Sequence, residues 1–354
     1  MRIVLAYSGS LEGSAAIQWL RERQYAEVVT VTLDLGQGRE LEMIRDRALA
    51  IGAQRAHVLD TRDEFAQDFV IPALRADAQH PGQVPMSLAL SRPLIARKVI
   101  EIAGIERADA VAHTGHATIG TSQLDRLLAD LAPALRVLTP AREWTLGESD
   151  LLFFARSHGF GLGADDANRI EANFWGRSLR HRPGASIPAA FAPTSPDTLP
   201  GEPALVDISF VRGVPTALNG VSLPLTELVS SLGTLAAAHG VGTARTATLV
   251  CQAPAAVLLH AAHRRLTRAV TPTAMQEFSD TVSAAYVNVV ESSRWFSPFR
   301  AALDGYFSVA QALVNGHVQL RLHKGEYETM NCEVTQSPAE SAPPLRLVPS
   351  PAKH

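Results

Sequence analysis

The chain has 354 residues, 46% hydrophobic and 19% charged, the balance of a folded protein with sizeable cores rather than a disordered one, and the length suits two domains. Its 32 Lys and Arg against 35 Asp and Glu give a net charge of -3 with no strong basic run, which disfavours bulk nucleic-acid binding. Cys251 and Cys332 make neither a zinc spacing nor a disulfide framework, and with no signal peptide and no apolar run near about 18 residues the chain reads as cytoplasmic, with no membrane partner.

The first predicted strand is Ile3–Ala6, followed by the Ser/Gly loop Ser8–Ser14 and a helix over Gly13–Arg23. That succession aims backbone N–H groups and a helix N-terminus at one point, which is an anion site. The loop lacks the Lys-Ser/Thr ending of a Walker A motif. A second strand, Val28–Leu33, ends in the turn Asp34-Leu35-Gly36-Gln37-Gly38, and a helix over Leu41–Ile51 stops at Gly52. Then come a strand at Ala56–Asp60, helical stretches at 63–78 (interrupted at Pro72) and Arg92–Ala103, and a strand at Ala108–His113 leading into Thr114-Gly115-His116. A helix at Leu124–Leu131, a strand at Arg136–Leu138 and a helix at Glu148–His158 complete the first unit. Strands alternating with helices predict the α/β class, a doubly wound parallel sheet over residues 1–165. Ligands in such sheets sit beyond the strand C-terminal ends, where the loops Ser8–Ser14, Asp34–Gly38 and Thr114–Ser122 converge.

Residues 183–203, rich in Pro, Ala and Ser, have loop or linker composition. Beyond them, strand patterns at Leu205–Val211, Thr246–Gln252 and His317–His323 and helices at Thr226–Ala238, Thr273–Val290 and Phe299–Asn315 predict an α+β domain over 166–330. The Ser/Pro-rich remainder, 331–354, reads as a disordered tail, and histidines such as His260 and His263 read as helix-face residues.

Several segments match one family in order. Val4-Leu5-Ala6-Tyr7-Ser8-Gly9-Ser10-Leu11-Glu12-Gly13-Ser14 is similar to V-L-A-Y-S-G-G-L-D-T-S, and Leu35-Gly36-Gln37-Gly38 to I-G-Q-G. Arg92-Pro93-Leu94-Ile95-Ala96-Arg97-Lys98 resembles A-R-P-L-I-A-K, Pro140-Ala141-Arg142-Glu143-Trp144 resembles P-W-R-E-W, and Asn173-Phe174-Trp175-Gly176-Arg177-Ser178 resembles N-L-W-G-R-S. Over about residues 1–329 the chain resembles argininosuccinate synthase, whose loop is of the kind found in enzymes that split ATP into AMP and pyrophosphate. The resemblance implies an adenine nucleotide alpha hydrolase-like fold of PP-loop ATP pyrophosphatase type, with ATP and Mg2+ as cofactors and a homo-oligomer. It implies attack of the citrulline ureido oxygen on the α-phosphate of ATP, departure of pyrophosphate, and displacement of AMP by the aspartate amine.

On that resemblance Ala6, Tyr7, Ser8, Gly9, Ser10, Leu11, Glu12, Gly13, Ser14, Leu33, Gly115 and His116 surround the nucleotide, with Glu12 also placed to hold magnesium. Ser8, Glu12 and Thr118 are the catalytic candidates, and Thr118, Thr121, Ser122, Asp125, Arg169 and Ser178 occupy the substrate side. Thr118 keeps the family's aspartate-contacting Thr, and Ser178 keeps a citrulline contact. Elsewhere the pattern departs: Thr121 and Ser122 replace Asn and Asp, and Asp125 replaces the Arg that meets citrulline's carboxylate. Val84 and Ala89 replace a Tyr and a Ser, Arg169 takes the place of another Ser, and the helical extension that interlocks the family's tetramer has no counterpart. Turning an Arg–carboxylate contact, about 1.5–3 kcal/mol, into repulsion argues for a changed acceptor, with Arg169 as a replacement anchor. The expected function is therefore an AMP-forming C–N ligase for small molecules, with an aspartate-like amine and a non-citrulline acceptor. Genuine argininosuccinate synthesis and nucleotide binding without catalysis are the alternatives.

Overall fold

The computed structural model describes residues 1–38, 41–115, 121–144, 147–157, 171–181, 187–192, 194–245 and 247–335. Its N-terminal unit contains β1 (Arg2–Ala6), α1 (Leu11–Gln24), β2 (Glu27–Asp34), α2 (Leu41–Ile51), β3 (Arg55–Asp60), α3 (Ser87–Glu106), β4 (Ala110–Ala112), α4 (Thr121–Leu131), β5 (Arg136–Leu138) and α5 (Glu148–Ser157). The strands form one parallel sheet in the order β3-β2-β1-β4-β5. The apolar runs of β1 and β2 are buried almost throughout, as required of strands covered on both faces. Connections run outward in one direction from β1 to β3 and in the other from β4 to β5, so the strand order reverses between β1 and β4. Leu5 is in register with Ala112 there, and the loops that follow both strands border the crevice where ligands of such sheets bind.

In this first unit two helical segments differ markedly from expectation. The stretch ending at Arg75 is one continuous arm: Arg62–Phe65, a widened turn over Ala66–Val70, and Ile71–Arg75. The amide of Ile71 reaches back to Ala66 O, and this wider turn accommodates Pro72, which has no N–H to donate. Helix α3 begins at Ser87 rather than Arg92 and runs through Pro93, because its first turn, Ser87–Ser91, is buried.

The second unit begins with the hairpin β6 (Glu171–Asn173) and β7 (Gly176–Arg180) and continues with β8 (Ala204–Val211), β9 (Val214–Leu218), α6 (Leu225–Ala238), β10 (Thr243–Arg245) and β11 (Leu249–Gln252). Helices α7 (Pro254–Val270), α8 (Thr273–Glu291) and α9 (Pro298–Ala310) and the strands β12 (Gly316–His323) and β13 (Glu326–Val334) complete it. Two antiparallel sheets result, β10-β11-β7-β6 and one in which Val221–Ser222, β9, β8, β12 and β13 lie side by side. The start of the expected tail is corrected, since Val334 pairs with Gly316 and the strand runs past 331; residues 336–354 lie outside the described ones. The described part of 183–203 is loop with two short turns, Ala189–Phe191 and Pro196–Thr198, and it is anchored by Phe191, fully buried beside Leu179 and Val250.

Val4 and Phe69 of the first unit share a continuous apolar core with Trp175, Leu258 and Trp295 of the second. His260 and His263 lie on a helix face as expected, the buried face of α7, bonded to Asp77 and Gln311 respectively. Among the described residues no helix is long and apolar enough to cross a membrane.

Candidate active site

The loop after β1 is shaped by two glycines and a cap. Gly9 has φ +78°, and a Cβ there would lie 2.9 Å from Ile44 Cγ1; only glycine adopts this turn without strain. Ser10 is the N-cap of α1, and its Oγ accepts from the Gly13 amide at 3.1 Å. A Cβ on Gly13 would stand 2.9 Å from the Tyr7 ring. Arg47 of α2 donates Nη1 to Gly9 O at 2.7 Å and braces the loop from beneath. Ser8 is exposed, and Ser10, Leu11 and Glu12 are half-buried. The first turn of α1 therefore faces the crevice with the N–H groups that a helix cannot satisfy internally.

Two of the residues expected around the nucleotide bond to each other. Tyr7 and Ser14 are buried and share a 2.9 Å hydrogen bond between their hydroxyls. The Ser14 amide donates to Ser10 O at 2.9 Å, so Ser14 holds the strand to the helix. Ala6 ends β1, and Leu33 is the last residue but one of the adjacent strand β2.

The turn after β2 closes on itself. Gln37 Oε1 accepts from the Leu35 amide at 2.7 Å, and its Nε2 donates to Leu33 O at 2.8 Å. A Cβ on Gly36, at φ +75°, would lie 2.7 Å from Phe174 Cβ, and the Phe174 amide donates to Leu35 O at 2.7 Å. Gly36 is thus the residue that lets the β6–β7 hairpin seat against the strand edge.

At the end of β4, His113 is 2% exposed. Its Nδ1 accepts from the Gly115 amide at 3.3 Å, so the proton sits on Nε2, which donates to Asp125 Oδ1 at 2.7 Å. Arg142 Nη2 donates to the other carboxylate oxygen of Asp125 at 2.5 Å. Desolvation raises the Asp125 pKa, but the bonds from His113 and Arg142 outweigh it and hold the carboxyl below its ordinary range. Asp125, expected on the substrate side, has each carboxylate oxygen bonded within the fold, one to His113 of the β4 end and one to Arg142 of the Pro140–Glu143 turn. Arg126, the next residue, donates to Ser292 O at 2.7 Å beyond the C-terminus of α8.

Ser178, the remaining candidate whose side chain is described, is 2% exposed on β7. Its Oγ lies 3.1 Å from Ser87 Oγ, Ser87 Oγ lies 4.0 Å from Cys251 Sγ, and Asn173 Nδ2 donates to Ser87 O at 2.8 Å. Burial pushes the Cys251 thiol up despite the two serines. Ser87 and Cys251 were not among the predicted site residues, and spacing could not reveal them, since three separate elements bring this cluster together. Val84 and Ala89 are buried beside the start of α3. His116, Thr118 and Arg169, and the side chains of Thr121 and Ser122, lie outside the described residues.

Comparison with known proteins covers both units. Residues 2–161 match the family model described as arginosuccinate synthase N-terminal HUP domain, and residues 166–338 match the arginosuccinate synthase C-terminal domain. The chain is 37% identical over 343 residues to an argininosuccinate synthase of Rubrobacter xylanophilus, covering 92% of this chain and 83% of that protein. It is 38% identical over 344 residues to one from Symbiobacterium thermophilum, covering 92% and 86%. A solved structure, a predicted subunit of a tRNA methyltransferase from Methanocaldococcus jannaschii, covers 44% of this chain and 76% of its own at 15% identity, with a TM-score of 0.31, too slight a likeness to carry an argument.

Proposed function

The chain belongs to the argininosuccinate synthase family, a family of ATP-dependent C–N ligases, and on that premise we propose that it joins citrulline to aspartate, converting ATP to AMP and pyrophosphate. The observation that carries this reading is the Gly9–Ser10 turn into α1, which stands at the strand-order reversal and turns a helix N-terminus toward the crevice. Matches across both domains support the family's own substrates over a new acceptor.

In this reading the amides of the α1 first turn and the Ser8 and Ser10 hydroxyls hold the β- and γ-phosphates. The α1 dipole stabilises the charge that grows on pyrophosphate as the α-phosphorus accepts the ureido oxygen. Thr118, between β4 and α4 in the sequence, meets the aspartate. Magnesium suits a site with one carboxylate, since this ion is commonly held by one or two carboxylates together with substrate phosphates; Glu12, in the first turn of α1, is that carboxylate. When bound, the ion would neutralise charge on the leaving pyrophosphate. The chain acts as a homo-oligomer in the cytoplasm, and exposed Phe278, Val309 and Leu313 near the last helices supply apolar surface for self-association.

One observation favours a second reading, a different acceptor: Asp125 is committed to His113 and Arg142 where the resemblance expects an arginine free to meet a carboxylate. Incubation with ATP, Mg2+, aspartate and citrulline tests both. Equal amounts of AMP, pyrophosphate and argininosuccinate support the first. AMP and pyrophosphate formed with another acceptor, but never with citrulline, support the second. ATP binding without release of its pyrophosphate in the presence of any acceptor overturns both.

A further inference from the structure

Two residues of α2 grip the loop after β1 at one point. Ile44 leaves no room for a side chain on Gly9, and Arg47, one turn further along the same helix face, donates Nη1 to Gly9 O at 2.7 Å. Gly9 is buried and Arg47 half-buried, and 38 residues separate them in the chain. The direction of the Gly9 carbonyl is thus held from outside the loop.

That direction fixes a second group. The peptide joining Gly9 to Ser10 is trans, and in a planar trans peptide the C=O and the N–H point opposite ways. Helix α2 packs over β2 and β3, on one side of β1, whereas the strand-order reversal lies on the other side, toward β4. With Gly9 O turned toward α2, the Ser10 amide is turned away from it, toward the crevice. This amide has no acceptor among the described residues, while Ser10 Oγ and Ser10 O accept from the amides of Gly13 and Ser14. A guanidinium bonded to the carbonyl also polarises the peptide and makes its N–H a stronger donor.

We propose that Arg47 is a positioning residue for the outer phosphates of the nucleotide: by holding Gly9 O toward α2 it keeps the Ser10 amide aimed at the pyrophosphate that departs. The proposal rests on the reading that this loop holds the β- and γ-phosphates, and it adds a residue of α2 that sets how tightly they are held. A ligand without those phosphates does not meet the Ser10 amide. The contribution of Arg47 therefore extends to ATP and to pyrophosphate itself, but not to AMP.

Calorimetric titration of the full chain with ATP, inorganic pyrophosphate or AMP, each with Mg2+, tests this. Arg47→Met keeps an aliphatic stem and removes the donors; the expected result is about tenfold weaker binding of ATP and pyrophosphate, with AMP within about twofold of the unaltered chain. Arg47→Lys, which keeps a cationic donor, is expected to weaken pyrophosphate by no more than about threefold. Arg47→Gln, uncharged and shorter than arginine, is expected to behave as Arg47→Met and decides the matter should that variant fail to fold. Pyrophosphate affinity unchanged in these two uncharged variants, or AMP weakened as much as ATP (a general disturbance of the crevice), would overturn the proposal and leave the nucleotide reading in place. An unaltered chain that binds neither ATP nor pyrophosphate would overturn both.

Discussion

The hydroxyl oxygen of Ser10 accepts the amide of Gly13 at 3.1 Å, where the family's usual loop has a glycine in place of Ser10. A glycine cannot cap in this way, so the serine supplies a local bond that fixes the first turn of α1. Ser10→Ala is expected to lower stability by about 1 kcal/mol, and Ser10→Gly by only a few tenths, in urea unfolding. A loss as large in the glycine variant as in alanine would mean that the cap contributes nothing.

Gly9 is the stricter requirement. Its positive φ and the 2.9 Å approach of Ile44 leave no room for a side chain. Gly9→Val is expected to store about 1–3 kcal/mol of strain and to displace the loop, with ATP affinity falling by at least tenfold in calorimetry. Unchanged ATP affinity would separate this loop from nucleotide binding.

The His113–Asp125–Arg142 cluster predicts a dependence on acid. The carboxyl of Asp125 is held below its unfolded pKa, near 3.9, so its contribution is complete above that value and lost as pH falls through the lower folded value. Asp125→Asn is expected to cost about 2 kcal/mol at pH 7 and to flatten the stability curve between about pH 5 and 2. Asp125→Arg, which restores the residue of the resembled family, is expected to be more damaging, because it sets a second cation against Arg142. Chemical unfolding across pH reads both outcomes.

Cys251 and Cys332 are expected to react differently. Cys251 is fully buried against Ser87 and its thiol is held up by burial, whereas Cys332 is partly exposed on β13. Mass spectrometry after brief alkylation of the native protein should find Cys332 modified on the order of tenfold or more faster. Equal labelling would show that the Ser87–Ser178–Cys251 cluster is open to solvent.

Much of the first domain is legible in the chain itself. The apolar runs of β1 and β2 and the glycine turns after them need no distant partner, and α2 and β5 have the bounds that the pattern predicts, Leu41–Ile51 and Arg136–Leu138. Helix α7 is not legible: its buried face carries His260 and His263, bonded to Asp77 and Gln311, which lie 183 and 48 residues away. The same holds at the site. Ser178 is recognisable by its motif, but its burial depends on Ser87, 91 residues earlier. Asp125 reads as a reversed charge aimed at substrate until Arg142, 17 residues on, and His113 are seen to consume both its oxygens.

The most direct test of the central claim, that an acceptor oxygen is adenylated and then leaves with AMP, uses citrulline labelled with 18O in the ureido group, supplied with ATP, Mg2+ and aspartate. The account predicts one labelled oxygen in the phosphoryl group of each AMP formed. Unlabelled AMP, or ADP and phosphate as the products, would contradict it.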